Sequence, residues 1–122
     1  MAKSSTFFVL FSIPTTLADV GIALRKAGLK PQETGIGTLE VTQDGVVFEV
    51  GLSEAPHVLM ESQGLASRHK APQLGRMNRR LEIHVEDIDS ALAEFNTLAL
   101  TQQALLDLTN GVAWLQWNDS IL

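Results

Sequence analysis

Residues 6–13 read TFFVLFSI, and this stretch decides the fold class because apolar side chains occupy both of its alternating positions. An extended segment that is apolar on both faces is typical of a strand in the middle of a sheet. Pro14 ends the segment, because proline lacks the backbone N–H that a strand or helix would use there. The stretch therefore predicts a central β-strand.

A helix is predicted directly after this strand. Thr15 or Thr16 is a suitable N-cap, and Asp19 would lie in the first turn, where a negative charge is favoured. Apolar residues then recur at helical spacing until Gly28, a typical left-handed stop, which Pro31 follows. These signals delimit the first helix at both ends.

Further strands and a second long helix are predicted along the rest of the chain. Their ranges are a hairpin over 38–52 with its turn at Asp44-Gly45, a strand over 81–86, a helix from Asp87 or Asp89 to about Thr109, and a strand over 112–117. Strict alternation places Trp114 and Trp117 on opposite faces of the last strand.

This order predicts a single α+β domain over residues 1–122, with an antiparallel-rich sheet of four to five strands and two main helices on one face. Residues 53–80 are expected to form an irregular basic insertion, with a short helix over 54–63. The order resembles the ferredoxin-like β-α-β-β-α-β plan with an insertion. A fold of this kind hosts many unrelated functions, so the resemblance implies no activity.

Composition excludes several classes of function. The chain of 122 residues has a net charge of −5, which argues against general binding to nucleic acid. It has no cysteine, so disulfides and thiolate sites are excluded, and we expect a cytoplasmic protein. No apolar stretch is long enough for a membrane span. No nucleotide, phosphate-loop or serine-hydrolase motif is present, so we predict neither a cofactor nor a metal site.

Charge is strongly segregated along the chain. Residues 68–80 carry +5 and no acid, the remainder carries −10, and residues 81–122 hold seven acids without any Lys or Arg. The five basic residues are predicted to bind an anion or an acidic partner, Arg79 and Arg80 foremost; they are Arg68, Lys70, Arg76, Arg79 and Arg80. The alternative is that they pair with carboxylates of the acidic C-terminal half.

The second helix carries two stripes. The predicted core stripe consists of Ile88, Leu92, Phe95, Ala99 and Leu106. The opposite stripe lacks the charges of a solvent-facing surface and is predicted to be a subunit or partner interface; it consists of Ala93, Thr97, Leu100, Ala104 and Leu108. The alternative is that residues 53–80 or the first helix cover this face within the chain.

His84 lies between Glu82 and Glu86 on the polar face of its predicted strand. Such a row could poise an acid–base pair or bind a metal, although a solvated polar row is the simpler interpretation. The sequence thus favours a non-enzymatic, protein-binding homodimer. The alternative is a small enzyme or small-molecule-binding domain, with His84, Glu82 and Glu86 as catalytic groups and Arg79 or Arg80 holding an anionic substrate.

Overall fold

The computed structural model describes residues 3–122 and is an α+β fold, which confirms the predicted class. Its elements are β1 (Ser5–Phe11), α1 (Leu17–Lys26), β2 (Gln32–Glu33), β3 (Thr38–Gln43), β4 (Val46–Ser53), α2 (Pro56–Arg68), a 3₁₀ turn (Pro72–Arg76), β5 (Arg79–Val85), α3 (Ile88–Ala93), α4 (Phe95–Thr109), β6 (Val112–Leu115) and β7 (Ser120–Ile121). The first two residues of the chain lie outside this description.

Within residues 3–122, seven strands form one antiparallel sheet in the order β2-β3-β4-β5-β1-β6-β7. The prediction of four to five strands is wrong because β2 and β7 have only two residues each, too few to show an alternating pattern. The ferredoxin-like plan is not confirmed. The plan has four strands, whereas this sheet has seven, and helix α2 separates β4 from β5 along the chain.

The main core lies between the sheet and helices α1 and α4. Phe7, Val9 and Phe11 of β1 point into it, and α1 contributes Val20 and Leu24. Helix α1 is held by a capping box, in which the Thr16 hydroxyl accepts from the backbone of Asp19 and the Asp19 carboxylate accepts from the backbone of Thr16.

A second, smaller core lies on the other face of the sheet. Phe8 and Leu10 of β1 pack there against Leu65 of α2 and Leu74 of the 3₁₀ turn. Residues 53–80 are therefore mostly helical, which corrects the predicted irregular insertion. The predicted helix over 54–63 continues to Arg68, because its buried side recurs at helical spacing through Val58, Ser62 and Leu65.

The predicted core stripe of the second helix is wrong at Leu92 and Phe95, whereas Ile88 is buried in the main core and Leu106 packs against it. The helix breaks at Glu94, whose backbone (φ −99°, ψ 56°) is not helical, so α3 and α4 are separate. Leu92 and Phe95 are exposed at 45% and 62%. The buried side of α4 consists instead of Thr97, Leu98, Thr101, Leu105 and Thr109. The spacing of apolar residues in the sequence does not indicate this buried face, because three of its five residues are threonines.

Helix α4 ends where the sequence predicts, at Asn110 and Gly111. Asn110 has left-handed backbone angles and forms the C-cap. A side chain on Gly111 would collide with the backbone oxygen of Leu10, so the chain passes from α4 into β6 only because this residue has no Cβ.

Candidate functional site

Arg80 is a buried arginine of β5 that lies beside Phe8 of the second core. Its side chain is 8% exposed, and its Nε donates to a Glu82 carboxylate oxygen at 2.7 Å. Its Nη1 donates to Glu61 of α2, and its Nη2 lies 3.3 Å from Nε2 of His57. The guanidinium also stands 4.5 Å from the ring centroid of Phe8. Arg80 is thus neutralised within the chain by two carboxylates.

Asp119 connects the hairpin of β6 and β7 to the end of α2 through hydrogen bonds. Its carboxylate accepts from Nε and Nη2 of Arg68, at 3.1 and 2.7 Å, and from the indole N–H of Trp114 at 2.8 Å. The His69 Nε2 lies 3.1 Å away. Hydrogen bonds from Arg68 and then Trp114 hold the pKa of Asp119 well below its usual range, and the Asp119 carboxylate raises the pKa of Arg68.

These two arginines flank a pair of aromatic rings on the second face of the sheet. Phe8 and Trp114 are cross-strand partners, and their rings stack at 5.1 Å with an interplanar angle of 18°. Arg80 lies over the Phe8 ring, and Arg68 lies 5.9 Å from the Trp114 ring centroid. The four groups form a ladder, cation–ring–ring–cation, that joins α2 to the sheet.

The structure does not bring the five predicted anion-binding residues into one site. Arg79 donates to the Glu54 carboxylate at 3.0 Å and to the Ser12 carbonyl at 2.7 Å. Lys70 and Arg76 form no ion pair within residues 3–122. Arg68, Arg79 and Arg80 already bind carboxylates of the chain itself. Of these carboxylates, Asp119 and Glu82 belong to the acidic C-terminal half that the intramolecular alternative named, whereas Glu54 and Glu61 do not.

His84 lies on the part of the second face that faces solvent. Its cross-strand neighbours are Thr6 and Glu49, and its Nδ1 lies 3.3 Å from the Thr6 hydroxyl. The Glu82 carboxylate accepts from Arg80, whereas Glu86 and His84 border a recess of only about 90 Å³. Within the described part of the chain, no group of three metal-binding side chains is close enough to hold an ion.

The predicted interface stripe is divided among three environments. Ala93 and Leu100 are exposed, whereas Thr97 is 2% exposed and donates to the Asp44 carboxylate at 3.1 Å. Ala104 and Leu108 are half-buried, pack on the main core and line a groove with α1. The five residues therefore do not form one continuous surface.

A different face of α4 is open to solvent. Phe95, Asn96, Leu100 and Gln103 are exposed, and Ala99 between them is half-buried. We call these five residues the outer face of α4. Four of them, all except Phe95, line a shallow hollow. The sequence carried one signal for this surface, the absence of any charged residue over 95–106.

No family model matches the chain, and no curated protein or solved structure shows significant similarity to it. Within residues 3–122, none of the helices combines the length and the apolar character that crossing a bilayer requires.

Proposed function

We propose that the protein is a non-enzymatic partner-binding domain that acts as a homodimer, and that two copies meet at the outer face of α4. One observation carries this proposal: Phe95 and Leu100 are 62% and 45% exposed on α4, within a stretch, residues 95–106, that has no charged residue. A surface helix normally presents Lys, Glu or Arg to water, and large exposed apolar side chains that lie together mark interaction sites.

The net charge of the chain restricts where a second copy can bind. Two molecules that each carry −5 repel one another, and their approach is least unfavourable where few charges are presented. The five residues of the outer face of α4 carry no charge, and the exposed acids nearest to them in the chain are Glu94 and Asp107, of which Asp107 accepts from the Gln103 amide. A two-fold axis would place the same face on itself, as in most homodimers, and Ala99 near its middle would let the two helices approach closely.

A mixed surface joins α4 to the neighbouring helix α1. Ile22 of α1 is 53% exposed and lines, with Ala104 and Leu108, the groove of about 470 Å³ between the two helices. The charged residues Asp19, Lys26 and Asp107 also line this groove. Two residues of the predicted stripe thus border the outer face of α4. A standard interface needs roughly 800 Å² from each partner, so we expect α1 to contribute at its edge.

The experiment is the solution mass by light scattering on a sizing column, over a range of protein and salt concentrations. We expect a dimer that persists in high salt, because its contacts are apolar. The double substitution Phe95→Glu and Leu100→Glu should give a folded monomer. Ile36→Glu is the matched control, because Ile36 is 78% exposed on a loop away from α4.

Two outcomes would contradict the proposal. One is a wild-type protein that remains a monomer at every concentration. The other is a double variant that remains a dimer, or an Ile36→Glu variant that dissociates equally, because the contact would then lie elsewhere. Circular dichroism of each variant establishes that a change in mass is not a loss of fold.

The alternative site at His84 with Arg79 or Arg80 has no observation that favours it. Both arginines donate to carboxylates of the chain, and the recess beside His84 is smaller than a substrate needs. We therefore do not propose an enzyme there. We place the protein in the cytoplasm on the ground that a chain without cysteine suits a reducing compartment.

A further inference from the structure

A cleft of about 340 Å³ lies between α2 and the second face of the sheet. Its walls combine the ladder of rings and arginines with one side of α2. The lining residues are Phe8, Glu61, Gly64, Leu65, Arg68, Arg80, Trp114 and Gln116. The cleft lies on the opposite side of the sheet from α1 and α4, and its volume is that of a site for a small ligand.

Gly64 lines this cleft. It lies inside α2, where glycine is unfavourable relative to alanine, and it is exposed. A Cβ at this position would have no neighbouring atom within 4 Å, so the packing of the chain does not require a glycine. The space beside Gly64 is therefore available to a bound molecule.

The two ends of the cleft carry different charges. Glu61 and Arg68 are seven residues apart on α2, which is about 10.5 Å along the helix. At one end, Glu61 and Glu82 share the single cation of Arg80, which leaves one net negative charge. At the other end, Arg68 uses Nε and Nη2 for Asp119, and its Nη1 makes no hydrogen bond within residues 3–122.

The surfaces between these ends are partly apolar. The Phe8 and Trp114 rings and the Leu65 side chain line the cleft together with Gly64 and the polar Gln116. The bidentate ion pair with Asp119 fixes the Arg68 guanidinium in advance, and the indole N–H of Trp114 binds the same carboxylate. Side chains held in this way lose little conformational entropy when a ligand binds.

We propose that this cleft binds a small amphipathic zwitterion that has an ammonium group at one end, a carboxylate at the other and an apolar side chain, as in a dipeptide with an apolar side chain. The ammonium donates to Glu61, the apolar side chain lies over Gly64 against the aromatic pair, and the carboxylate accepts from Nη1 of Arg68. This site goes beyond the proposed self-association, because it uses a different face and needs no second copy.

The test is an NMR titration that follows the two indole N–H signals, assigned with Trp114→Phe. The probes are phenylalanyl-glycine, its N-acetyl form, which lacks the ammonium, and its amide, which lacks the carboxylate. Phenylalanyl-glycine should shift the Trp114 signal and leave Trp117 unchanged, since Trp117 packs edge-on against Phe7 in the main core. The N-acetyl form should give no shift, and the amide should bind more weakly.

Gly64→Leu fills the cleft at an exposed position and should abolish the shift, whereas Gln63→Leu, an exposed neighbour outside the lining, should keep it. The proposal is overturned if no probe shifts Trp114, if both indoles respond alike, or if Gly64→Leu responds like the wild type. Equal binding of the N-acetyl form or of the amide would equally overturn it. The double variant at Phe95 and Leu100 should still bind, which separates this test from that of the dimer.

Discussion

Arg80 shows how a residue predicted to bind a ligand can serve the fold instead. It lies at an outward position of β5, and in the structure α2 covers it, so that its guanidinium meets Glu61, Glu82 and the Phe8 ring. The sequence shows where the charge is but not which carboxylates fold over it. A cation of this kind joins α2 to the sheet through charge-assisted hydrogen bonds.

Arg80→Met keeps apolar bulk and removes the guanidinium, so Glu61 and Glu82 lose their shared cation. We expect the free energy of unfolding to fall by about 2 kcal/mol, which is typical for hydrogen bonds to charged groups. Urea denaturation measures this change. Arg76→Met, at an exposed position without an ion pair, should change stability by less than about 0.5 kcal/mol. Equal effects of the two substitutions would show that the Arg80 contacts contribute nothing.

Asp119 makes stability depend on pH. Its pKa in the folded chain lies below the ordinary value of 3.8, because Arg68 and Trp114 donate to the ionised carboxylate. A lowered folded pKa stabilises the protein above the unfolded value, and this contribution is lost as pH falls through the folded value. Asp119→Asn should therefore be less stable than the wild type at neutral pH, and the difference should narrow below pH 3.8. Urea denaturation across this range measures it.

Glu33→Gln is the control for that comparison, since Glu33 is an exposed carboxylate on β2 and far from this network along the chain. It should leave the stability at neutral pH nearly unchanged. A difference between Asp119→Asn and the wild type that stays constant down to strongly acidic pH would contradict the assigned cause.

Helix α4 has a buried side that contains threonines and an exposed side that contains large apolar residues, and a pattern of apolar residues alone does not reveal either side. Its buried side uses Thr101 and Thr109, whose hydroxyls donate to the carbonyls of Thr97 and Leu105 one turn earlier, at 2.8 and 2.7 Å. Its exposed side holds Phe95 and Leu100. A helical wheel that counts only apolar residues therefore assigns the wrong face to the core. The break at Glu94 adds to the error, because it interrupts the helical spacing on which the wheel relies.

Thr97 and Thr101 offer a matched pair of substitutions within α4. Thr97 donates to the Asp44 carboxylate in the turn between β3 and β4, whereas the Thr101 hydroxyl bonds only within its own helix. We expect Thr97→Val to lower the free energy of unfolding by about 1 kcal/mol, because a hydrogen bond to a charged group is lost. Thr101→Val should stay within about 0.5 kcal/mol of the wild type. Equal losses in urea denaturation would show that the contact with Asp44 is unimportant.

At the scale of the whole molecule, long elements with alternating or helical patterns were predictable from the sequence. The central position of β1 between β5 and β6 follows from its apolar residues on both faces. The edge strands β2 and β7 were not predictable, since two residues show no period and pairing alone defines them. The length of helix α2 was underestimated, because Gly64 in its interior resembles a residue that ends a helix.

The same limits apply to the candidate sites. The absence of charge over 95–106 indicated a surface on α4, but which of its faces is exposed depends on the packing of the three threonines. The cleft beside Gly64 could not be foreseen, because it joins residues of β1, α2, β5 and β6 that are distant in the chain. Ion-pair partners such as Arg68 and Asp119 are likewise fixed only by tertiary structure.

Strand β1 is covered by a core on each face of the sheet, and this limits the substitutions that the strand can tolerate. Five consecutive residues, 7–11, are buried, whereas burial alternates along β3, where Glu40 and Thr42 face solvent. In a saturation library scored for folded protein, every codon over 7–11 should reject polar residues, and β3 should reject them only at alternate codons. Frequent polar replacements at Phe8 or Leu10 would contradict this expectation. The strand enclosed by both layers is thus the segment that can diverge least while the fold is kept.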